Sequence, residues 1–207
     1  MTLEELQFRR MVVSASGLLY WGGVLIQARR VRKQIGHSPN LKPRGPKEKA
    51  LWLGWFLVIS VWVGQPFLIA EEASKPGLGL LRALLHPVGL PLGLILLLLG
   101  YACTLWCYAA MGDTWRIGIN ANEKTTLVNR GPYRHVRHPI YLCQIVMLAG
   151  AVLLLPTSAS IVILALHYVC VLIKAADEEN YLSRVHGAAY RDYVGRTGRL
   201  FPKFIRR

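Results

Sequence analysis

The sequence predicts an all-α polytopic membrane protein with about five transmembrane helices. Of its 207 residues, 53% are hydrophobic, yet 25 are Lys or Arg and only 11 are Asp or Glu. The apolar residues are collected into blocks that approach the roughly 20 residues needed to cross a bilayer. A basic soluble protein would instead spread them with a period of 2 or 3.6 residues. The basic residues lie mainly between the blocks, which is typical of the loops of a membrane protein.

The first two apolar blocks enclose a strongly basic loop. Residues 1–10 are predicted to be a short amphipathic lead-in, and residues 11–27 form the first predicted span. Residues 28–50 contain eight Lys or Arg and one acid, and residues 51–70 form the second span. Such a loop is compatible with binding to nucleic acid or to anionic lipid. Beside a span, a cytosolic loop that follows the positive-inside tendency is the simpler interpretation, and no nucleic-acid partner is predicted.

Three further helices are predicted in the rest of the chain. The third covers about residues 92–110, the fourth residues 140–155 and the fifth residues 159–173. The turn at residues 156–158 leaves almost no loop, so the last two helices should form a tight antiparallel hairpin. Each has only about 15 or 16 residues, which is short for a bilayer of ~30 Å. Residues 174–193 contain strong helix formers and no proline, which predicts that the fifth helix continues beyond the membrane.

The distribution of charge predicts the orientation. With five spans, the loop 28–50, the stretch 112–139 and the tail 174–207 share one side and hold 21 of the 25 Lys and Arg residues. This side is predicted to be the cytosol, with the N-terminus on the opposite side. The chain therefore divides into an N-terminal part, 1–111, with three helices and the basic loop, and a C-terminal part, 112–207, that includes the hairpin.

All four cysteines lie inside apolar blocks. Cys103 and Cys107 share a helix face, which is half of a possible metal site, while Cys143 and Cys170 lie in other blocks. None belongs to a C-x-x-C pair with a matching set of His or Cys partners. Free cysteines in apolar surroundings are commonly small, inert fillers of the core. The sequence therefore predicts no disulfide and no metal site.

Two clusters of polar residues flank the predicted hairpin. The first is the motif GPYRHVRHPIY at residues 131–141, in which Pro132 and Pro139 interrupt any long helix. Polar, titratable side chains on irregular backbone at a membrane boundary are costly unless they line a site. The second cluster follows the fifth span, and the hairpin should bring it within reach of the first. Its members are Asp177, Glu178, Glu179, Tyr181, Tyr190, Tyr193 and Arg196.

Three kinds of site are compatible with these clusters. A metal site is disfavoured, because no H-x-x-x-H or E-x-x-H spacing is present. A lattice of interfacial salt bridges is the second, and it accounts best for Arg134 and Arg184. The third is a polar pocket for a charged cofactor at the membrane surface. In such a pocket carboxylates hold hydroxyls or an amine, and arginines hold an anionic acceptor.

The motifs resemble those of a known family. The order is MGDTWRIGI, then GPYRHVRHPIYL, an apolar hairpin, EENYL and HGAAYRDYVGRTGRLFP. This combination resembles the isoprenylcysteine carboxyl methyltransferase family and its bacterial and archaeal relatives, over about residues 95–205. The resemblance implies a membrane-embedded methyltransferase that uses S-adenosylmethionine (SAM). No G-x-G-x-x-G motif follows a strand, so a soluble Rossmann-type cofactor domain is not expected.

The resemblance also implies roles for individual residues. One group would contact the cofactor, with Pro139 shaping the turn that lets the backbone approach it. A second group would act at the acceptor, where the two arginines orient an anion. The cofactor group is His135, His138, Pro139, Tyr141, Leu142, Gln144, Glu178 and Glu179, and the acceptor group is Arg137, Arg196 and Tyr193.

The acceptor is expected to be a lipophilic small molecule or a lipidated group within the membrane lipids. The group that accepts the methyl can be a carboxylate, as in an isoprenylcysteine-like molecule, a thiol or a phenol. Thr197-Gly198 stands where prenyl-protein enzymes usually carry a proline, and His186-Gly187 replaces the more usual Phe-Gly. The alternatives are an NADPH-dependent sterol- or enone-type membrane reductase and a non-enzymatic protein that binds anionic lipid. A prokaryotic inner membrane is favoured, or the endoplasmic reticulum in a eukaryote, with the site on the cytosolic face.

Overall fold

A computed structural model describes residues 1–39, 43, 45–69, 77–116 and 126–203. Within these ranges the chain is almost entirely helical, and two isolated β-bridges are the only extended pairing. The all-α class predicted from the sequence is therefore confirmed. The five α-helices of the described ranges are α1 (Leu3–Ile35), α2 (Pro46–Leu68), α3 (Gly89–Met111), α4 (Pro139–Leu154) and α5 (Ser158–Arg196).

Helix α1 is much longer than the predicted span and includes residues 3–10 of the predicted lead-in. The side chain of Thr2 accepts a hydrogen bond from the backbone N–H of Glu5 and caps the helix. Glu4 lies beside Glu5 in the first turn, where the helix dipole favours acids. At the other end Gly36 terminates the helix with a φ of 80°. The predicted lead-in is therefore continuous with the first span and forms the first turns of the same helix.

Four helices, α1, α2, α3 and α5, are long and apolar enough to cross a membrane. Helix α4 is apolar but has only 16 residues, which is about 24 Å of helix. Large apolar side chains such as Leu18, Phe56 and Leu98 are more than half exposed. Such exposure is expected where lipid, rather than water, surrounds the helices. The chain is therefore a multi-pass membrane protein.

Helices α3 and α4 pack closely because glycines remove side chains from their contact. A Cβ on Gly93 would lie 2.9 Å from the carbonyl oxygen of Gly150, and a Cβ on Gly150 would lie 2.8 Å from that of Gly93. A Cβ on Gly100 would lie 2.9 Å from the carbonyl oxygen of Cys143 and would also collide with Met147. Small residues at such contacts let two membrane helices approach backbone to backbone.

The predicted hairpin of α4 and α5 is present. Helix α4 ends at Leu154, and Thr157 begins the next helix through a capping box with Ser160. Helix α5 then runs for 39 residues, well past the apolar segment, as its sequence predicts. It is broken once, at Gly187, where φ is 52° and ψ is −118°. The break precedes the last turns of α5, which carry Tyr190 and Tyr193.

Contacts between helices place the polar clusters at one end of the bundle. At that end Lys47, at the start of α2, donates to Asp177 of α5. At the opposite end Arg9, near the start of α1, is buried and donates to the carbonyl oxygen of Leu154, the last residue of α4. This arrangement fits the predicted topology, and the cytosolic location of the first end stays a prediction.

Candidate functional site

The motif at residues 131–141 is held against the C-terminal segment by backbone hydrogen bonds. A 3-10 turn, Gly131–Arg134, begins at a glycine with a φ of 57° and carries Pro132 at its start. Beyond it, Arg137 N–H donates to the carbonyl oxygen of Gly198 at 2.9 Å, and His138 N–H donates to that of Arg199 at 3.1 Å. This pairing fixes the backbone at the point where α4 begins. The side chains of Arg137 and His138 therefore extend from a backbone that is held in place.

Glu179 binds two guanidinium groups. Arg137 Nε donates to Glu179 Oε1 at 2.8 Å, and its Nη1 donates to the carbonyl oxygen of Thr197 at 2.5 Å. Arg199 donates to both oxygens of the same carboxylate, in part through two contacts of 3.1 Å from its Nε. Charged, forked contacts of this kind are strong and directional. Glu179 therefore joins α5, the start of α4 and the C-terminal segment.

Glu178, the neighbouring acid, faces a different set of groups. Tyr141 O–H donates to Glu178 Oε1 at 2.7 Å, and His138 Nδ1 lies 3.3 Å from Glu178 Oε2. The rings of His138 and Tyr141 stack with centroids 5.7 Å apart. His138 Nε2 lies 3.4 Å from Glu179 Oε1, so the buried imidazole stands between the two carboxylates. Apart from His138, which lies between them, the two acids thus have different partners, as their separation of about 100° around the helix predicts.

Burial and ion pairing shift the pKa of both charged partners at this point. Burial by itself would lower the pKa of His138, but the hydrogen bonds and charges of Glu178 and Glu179 raise it above its ordinary value. For Glu179, burial raises the pKa, and the contacts with His138, Arg199 and Arg137 outweigh it and hold the pKa well below its ordinary range. The pKa shifts therefore favour an ionised network of His138 and Glu179 in the folded protein.

A cavity of about 280 Å³ lies beside this network, close to the lower limit of common cofactor pockets. Its polar wall contains Arg137, His138 and Glu178, and its opposite wall is aromatic and apolar. Other lining residues include Tyr20, Trp21, Leu51, Trp52, Trp55, Tyr108, Met111, Trp115, Tyr133, Tyr141, Gln144, Lys174 and Tyr193. Helices α1, α2, α3, α4 and α5 all contribute to the cavity.

Some polar atoms of the cavity wall lack a partner. Gln144 Nε2 donates to the hydroxyl of Tyr20 at 2.7 Å, but Gln144 Oε1 is buried and accepts no hydrogen bond from the described residues. His138 Nε2 is also buried without a hydrogen bond of good geometry in the described part of the chain. Unsatisfied buried polar atoms are costly, and a ligand with matching groups would satisfy them.

The residues predicted for the site do not all reach the cavity. Six of them line it, whereas Glu179 lies behind it and braces two arginines. His135 and Arg196 are exposed, and among the described residues Arg196 donates only to the carbonyl oxygen of Asp192 in its own helix. Pro139 is buried at the start of α4, and Leu142 is outside the wall. The six that line the cavity are Arg137, His138, Tyr141, Gln144, Glu178 and Tyr193.

Several residues of the site were not predicted. Arg199 was missed, although it contacts Glu179, because only the backbone pairing at Gly198 brings it near α5. Tyr20 and Trp21 come from α1, and nothing in an apolar span distinguishes them from packing residues. Lys174 was counted as a residue of the charged tail. It directly follows an apolar segment, however, and lies four residues before Glu178.

Comparison with known proteins relates part of this site to a known family. The family model for phospholipid methyltransferases matches residues 88–189, from the start of α3 to the last turns of α5. This match confirms the relationship to membrane methyltransferases that the sequence motifs indicate. It covers α3, the 131–141 motif and both acids of α5.

Two curated bacterial proteins are similar to part of the chain. The nickel-cobalt-cadmium resistance protein NccN of Alcaligenes xylosoxydans xylosoxydans is 30% identical over 96 residues, which are 46% of this chain and 45% of that protein. The cobalt-zinc-cadmium resistance protein CzcN of Cupriavidus metallidurans is 26% identical over 117 residues, 56% of this chain and 50% of that protein. The chain thus spans about half the length of the curated relatives it matches.

Proposed function

Because residues 88–189 form a phospholipid methyltransferase family domain, we propose that this membrane protein transfers a methyl group from SAM to a lipophilic acceptor. The observation that carries the proposal is the cavity in which His138, Tyr141 and Glu178 meet beside unsatisfied polar atoms. The family match favours methyl transfer over the alternative of an NADPH-dependent reductase. A purely lipid-binding protein would have no need for this buried polar network.

The residues of the cavity fit the groups of SAM. Glu178 offers carboxylate oxygens to an ammonium or a ribose hydroxyl, and Gln144 Oε1 offers an acceptor that no described residue uses. The aromatic rings of Tyr20, Tyr108 and Trp115 suit both an adenine ring and a positive charge. Glu179 is already bound by two arginines, so its proposed role is to position the turn that carries His138.

When bound, SAM supplies an electrophilic methyl group on a sulfonium, so the protein mainly needs to align donor and acceptor and to exclude water. The stacked rings of His138 and Tyr141 form a rigid wall for that alignment. Tyr193 is fixed by a hydrogen bond of 2.7 Å from its hydroxyl to the carbonyl oxygen of Tyr133. A carboxylate acceptor is already ionised near neutral pH and needs no general base.

The apolar wall of the cavity supports a lipophilic acceptor. Trp52 and Trp55 of α2 line the cavity, and Trp52 is nearly half exposed on the outer face of the bundle. An acceptor dissolved in the bilayer would therefore reach the site laterally, past α2, without crossing water. We place the site on the cytosolic face of a bacterial inner membrane, because most of the basic residues lie at that end.

Ligand binding to the purified protein in detergent tests the proposal. SAM and S-adenosylhomocysteine should each raise the unfolding temperature and bind near one equivalent per chain, because both fit the polar wall. NADPH, at the same concentrations, should do neither. Stabilisation by NADPH without an effect of either adenosyl compound would refute methyl transfer and support the reductase alternative.

A further inference from the structure

Lys174 is a buried cation that faces the cavity. It lies on α5 one turn before Glu178, about 6 Å closer to the membrane interior, and only 8% of its surface is exposed. A lysine at this depth usually extends its side chain along the helix so that the ammonium reaches the interface. Here the side chain is enclosed instead, and it forms part of the cavity wall.

No hydrogen bond or ion pair joins the Lys174 ammonium to a residue that the structure describes. The acids nearest in sequence have other partners, since Asp177 binds Lys47 and Glu178 binds Tyr141. Taking an ammonium out of water without a partner is costly, and with 8% of its surface exposed Lys174 keeps only part of its hydration. An anion that enters the cavity would remove this cost by accepting from the three N–H donors of the ammonium.

The other cations of the cavity wall already have partners. Arg137 is bound by Glu179 and by the carbonyl oxygen of Thr197. Arg116 donates to the carbonyl oxygen of Trp115 at 2.9 Å. Arg196, predicted from the sequence to hold the acceptor, is exposed and outside the wall. Among the described lysine and arginine residues of the wall, Lys174 is therefore the one whose donors remain available to a ligand.

We propose that Lys174 binds the anionic group of the methyl acceptor, and that the acceptor is an anionic amphiphile. The anion is a carboxylate or a phosphate, and the apolar chain lies along Leu51, Trp52 and Trp55 towards the lipid. This inference rests on the proposed methyl transfer only where it identifies the bound amphiphile as the methyl acceptor. The binding itself requires only the cation, the cavity and its apolar wall.

Quenching of tryptophan fluorescence tests this binding directly, because four tryptophans line the cavity. Doxyl-labelled stearate should quench with a saturable component, and its neutral methyl ester should not. Lys174→Gln should weaken the saturable component about tenfold or more, as expected for the loss of a hydrogen bond from a charged donor. Lys174→Arg should restore most of it. Doxyl-labelled phosphatidic acid, used in parallel, shows whether the preferred anion is carboxylate or phosphate.

Arg184→Gln is the matched control, since Arg184 is an exposed cation of the same helix outside the cavity. It should leave the quenching unchanged. Equal saturable quenching in the wild type and Lys174→Gln would overturn the inference. S-adenosylhomocysteine affinity, measured on the same samples, separates the two proposals: if the wild type does not bind it, methyl transfer fails, whatever the quenching shows.

A second inference rests on the cysteines. Cys103 and Cys107 of α3 meet Cys143 of α4, and the three Sγ atoms all lie within 4.8 Å of one another. The sequence predicted no metal site, because Cys103 and Cys107 alone are only half of one, and the packing of the two helices supplies a third thiol. Cys107 and Cys143 are each four residues, about 6 Å, from the end of their helix nearest the polar network. The cluster therefore lies just inside the membrane boundary rather than at its centre.

We infer that this cluster binds one thiophilic metal ion of the Zn²⁺ or Cd²⁺ type. With metal–sulfur bonds of about 2.3 Å, three thiolates around one ion lie about 4 Å apart, so a small inward shift completes the site. Each thiol that binds releases its proton to solvent, and no redox step is needed. Cys103 is partly exposed, whereas Cys107 and Cys143 are buried.

Titration with Cd²⁺ in detergent tests the metal site. The wild type should develop the ultraviolet sulfur-to-cadmium charge-transfer band with one equivalent per chain. Cys103→Ser, Cys107→Ser and Cys143→Ser should each abolish or strongly weaken the band. Cys170→Ser is the control, because Cys170 is a buried cysteine of α5 outside the cluster. A wild type with four free thiols and no band, or an equal loss in Cys170→Ser, would overturn the inference.

Discussion

Arg137 and Glu179 form a half-buried ion pair, with 2.8 Å between Nε and Oε1, that connects the start of α4 to α5 across 42 residues of sequence. The same carboxylate holds Arg199 and lies beside His138. One acid thus supports three basic side chains, and two of them, Arg137 and His138, line the cavity. Rigid support of this kind is what a binding site for a charged cofactor requires.

Replacing Glu179 by Gln should destabilise the protein by about 3 kcal/mol, because the change leaves buried cationic charge without a counterion. Thermal unfolding in detergent measures the effect. Asp177→Asn is the control on the same helix, since Asp177 pairs with the exposed Lys47 and such pairs contribute less than about 1 kcal/mol. Similar losses in the two variants would show that the Glu179 network is not a structural support.

The contribution of His138 should depend on pH. Its pKa is raised in the folded protein by Glu178 and Glu179, so its charged form stabilises the fold. This stabilisation is complete below the unfolded pKa, about 6.5, and is lost as the pH rises through the higher folded value. The difference in unfolding temperature between the wild type and His138→Gln should therefore be largest near pH 6 and shrink towards pH 9.

The exposed His86 provides the control for this experiment, because it lies outside the ionised network. His86→Gln should show no comparable change of its effect with pH. A difference for His138→Gln that grows as the pH rises would mean that the neutral imidazole, rather than the charged one, is favoured in the folded protein.

The sequence was sufficient to predict those contacts that follow from local connectivity. The turn at residues 156–158 is too short for anything except a hairpin, and a hairpin necessarily brings Tyr141 near Glu178. The continuation of α5 past the membrane followed from helix propensity and the absence of proline. The length of the apolar block, by contrast, gave poor boundaries for α1, because the polar ends of a helix carry no hydropathy signal.

Contacts between distant helices were beyond prediction from a single sequence. Tyr20 reaches Gln144 across 124 residues, and an apolar helix gives no indication of which face meets which neighbour. Arg196 and Arg199 have the same charge and almost the same position in the sequence, yet the end of α5 lies between them. That difference exposes Arg196 and brings Arg199 onto Glu179, and only the fold reveals it.

Close packing of α3 on α4 should depend on Gly100. A Cβ at this position would collide with Met147 and lie 2.9 Å from the carbonyl oxygen of Cys143, which as backbone cannot move aside easily. Gly100→Ala should therefore destabilise the protein by about 1–3 kcal/mol despite the better helix propensity of alanine. Thermal unfolding in detergent is again the measurement.

Gly64→Ala is the matched control for this packing, because a Cβ at Gly64 of α2 has nothing within 4 Å. It should be neutral or slightly stabilising. If Gly100→Ala were equally neutral, α3 and α4 would not approach as closely as described, and the cysteine cluster that depends on their approach would be in doubt as well.

The hydroxyl of Tyr141 should matter for the proposed cofactor rather than for the fold. It donates to Glu178 at 2.7 Å and fixes the carboxylate that we assign to the cofactor. Tyr141→Phe keeps the ring stacked on His138 but frees Glu178 to rotate, so S-adenosylhomocysteine should bind about five- to tenfold more weakly, the loss of one charged hydrogen bond. Calorimetric titration measures the affinity, and thermal unfolding without ligand should change little.

Tyr168→Phe, at an exposed position of α5, should leave the affinity unchanged. Unaltered binding in Tyr141→Phe would remove this tyrosine and its partner Glu178 from the cofactor site.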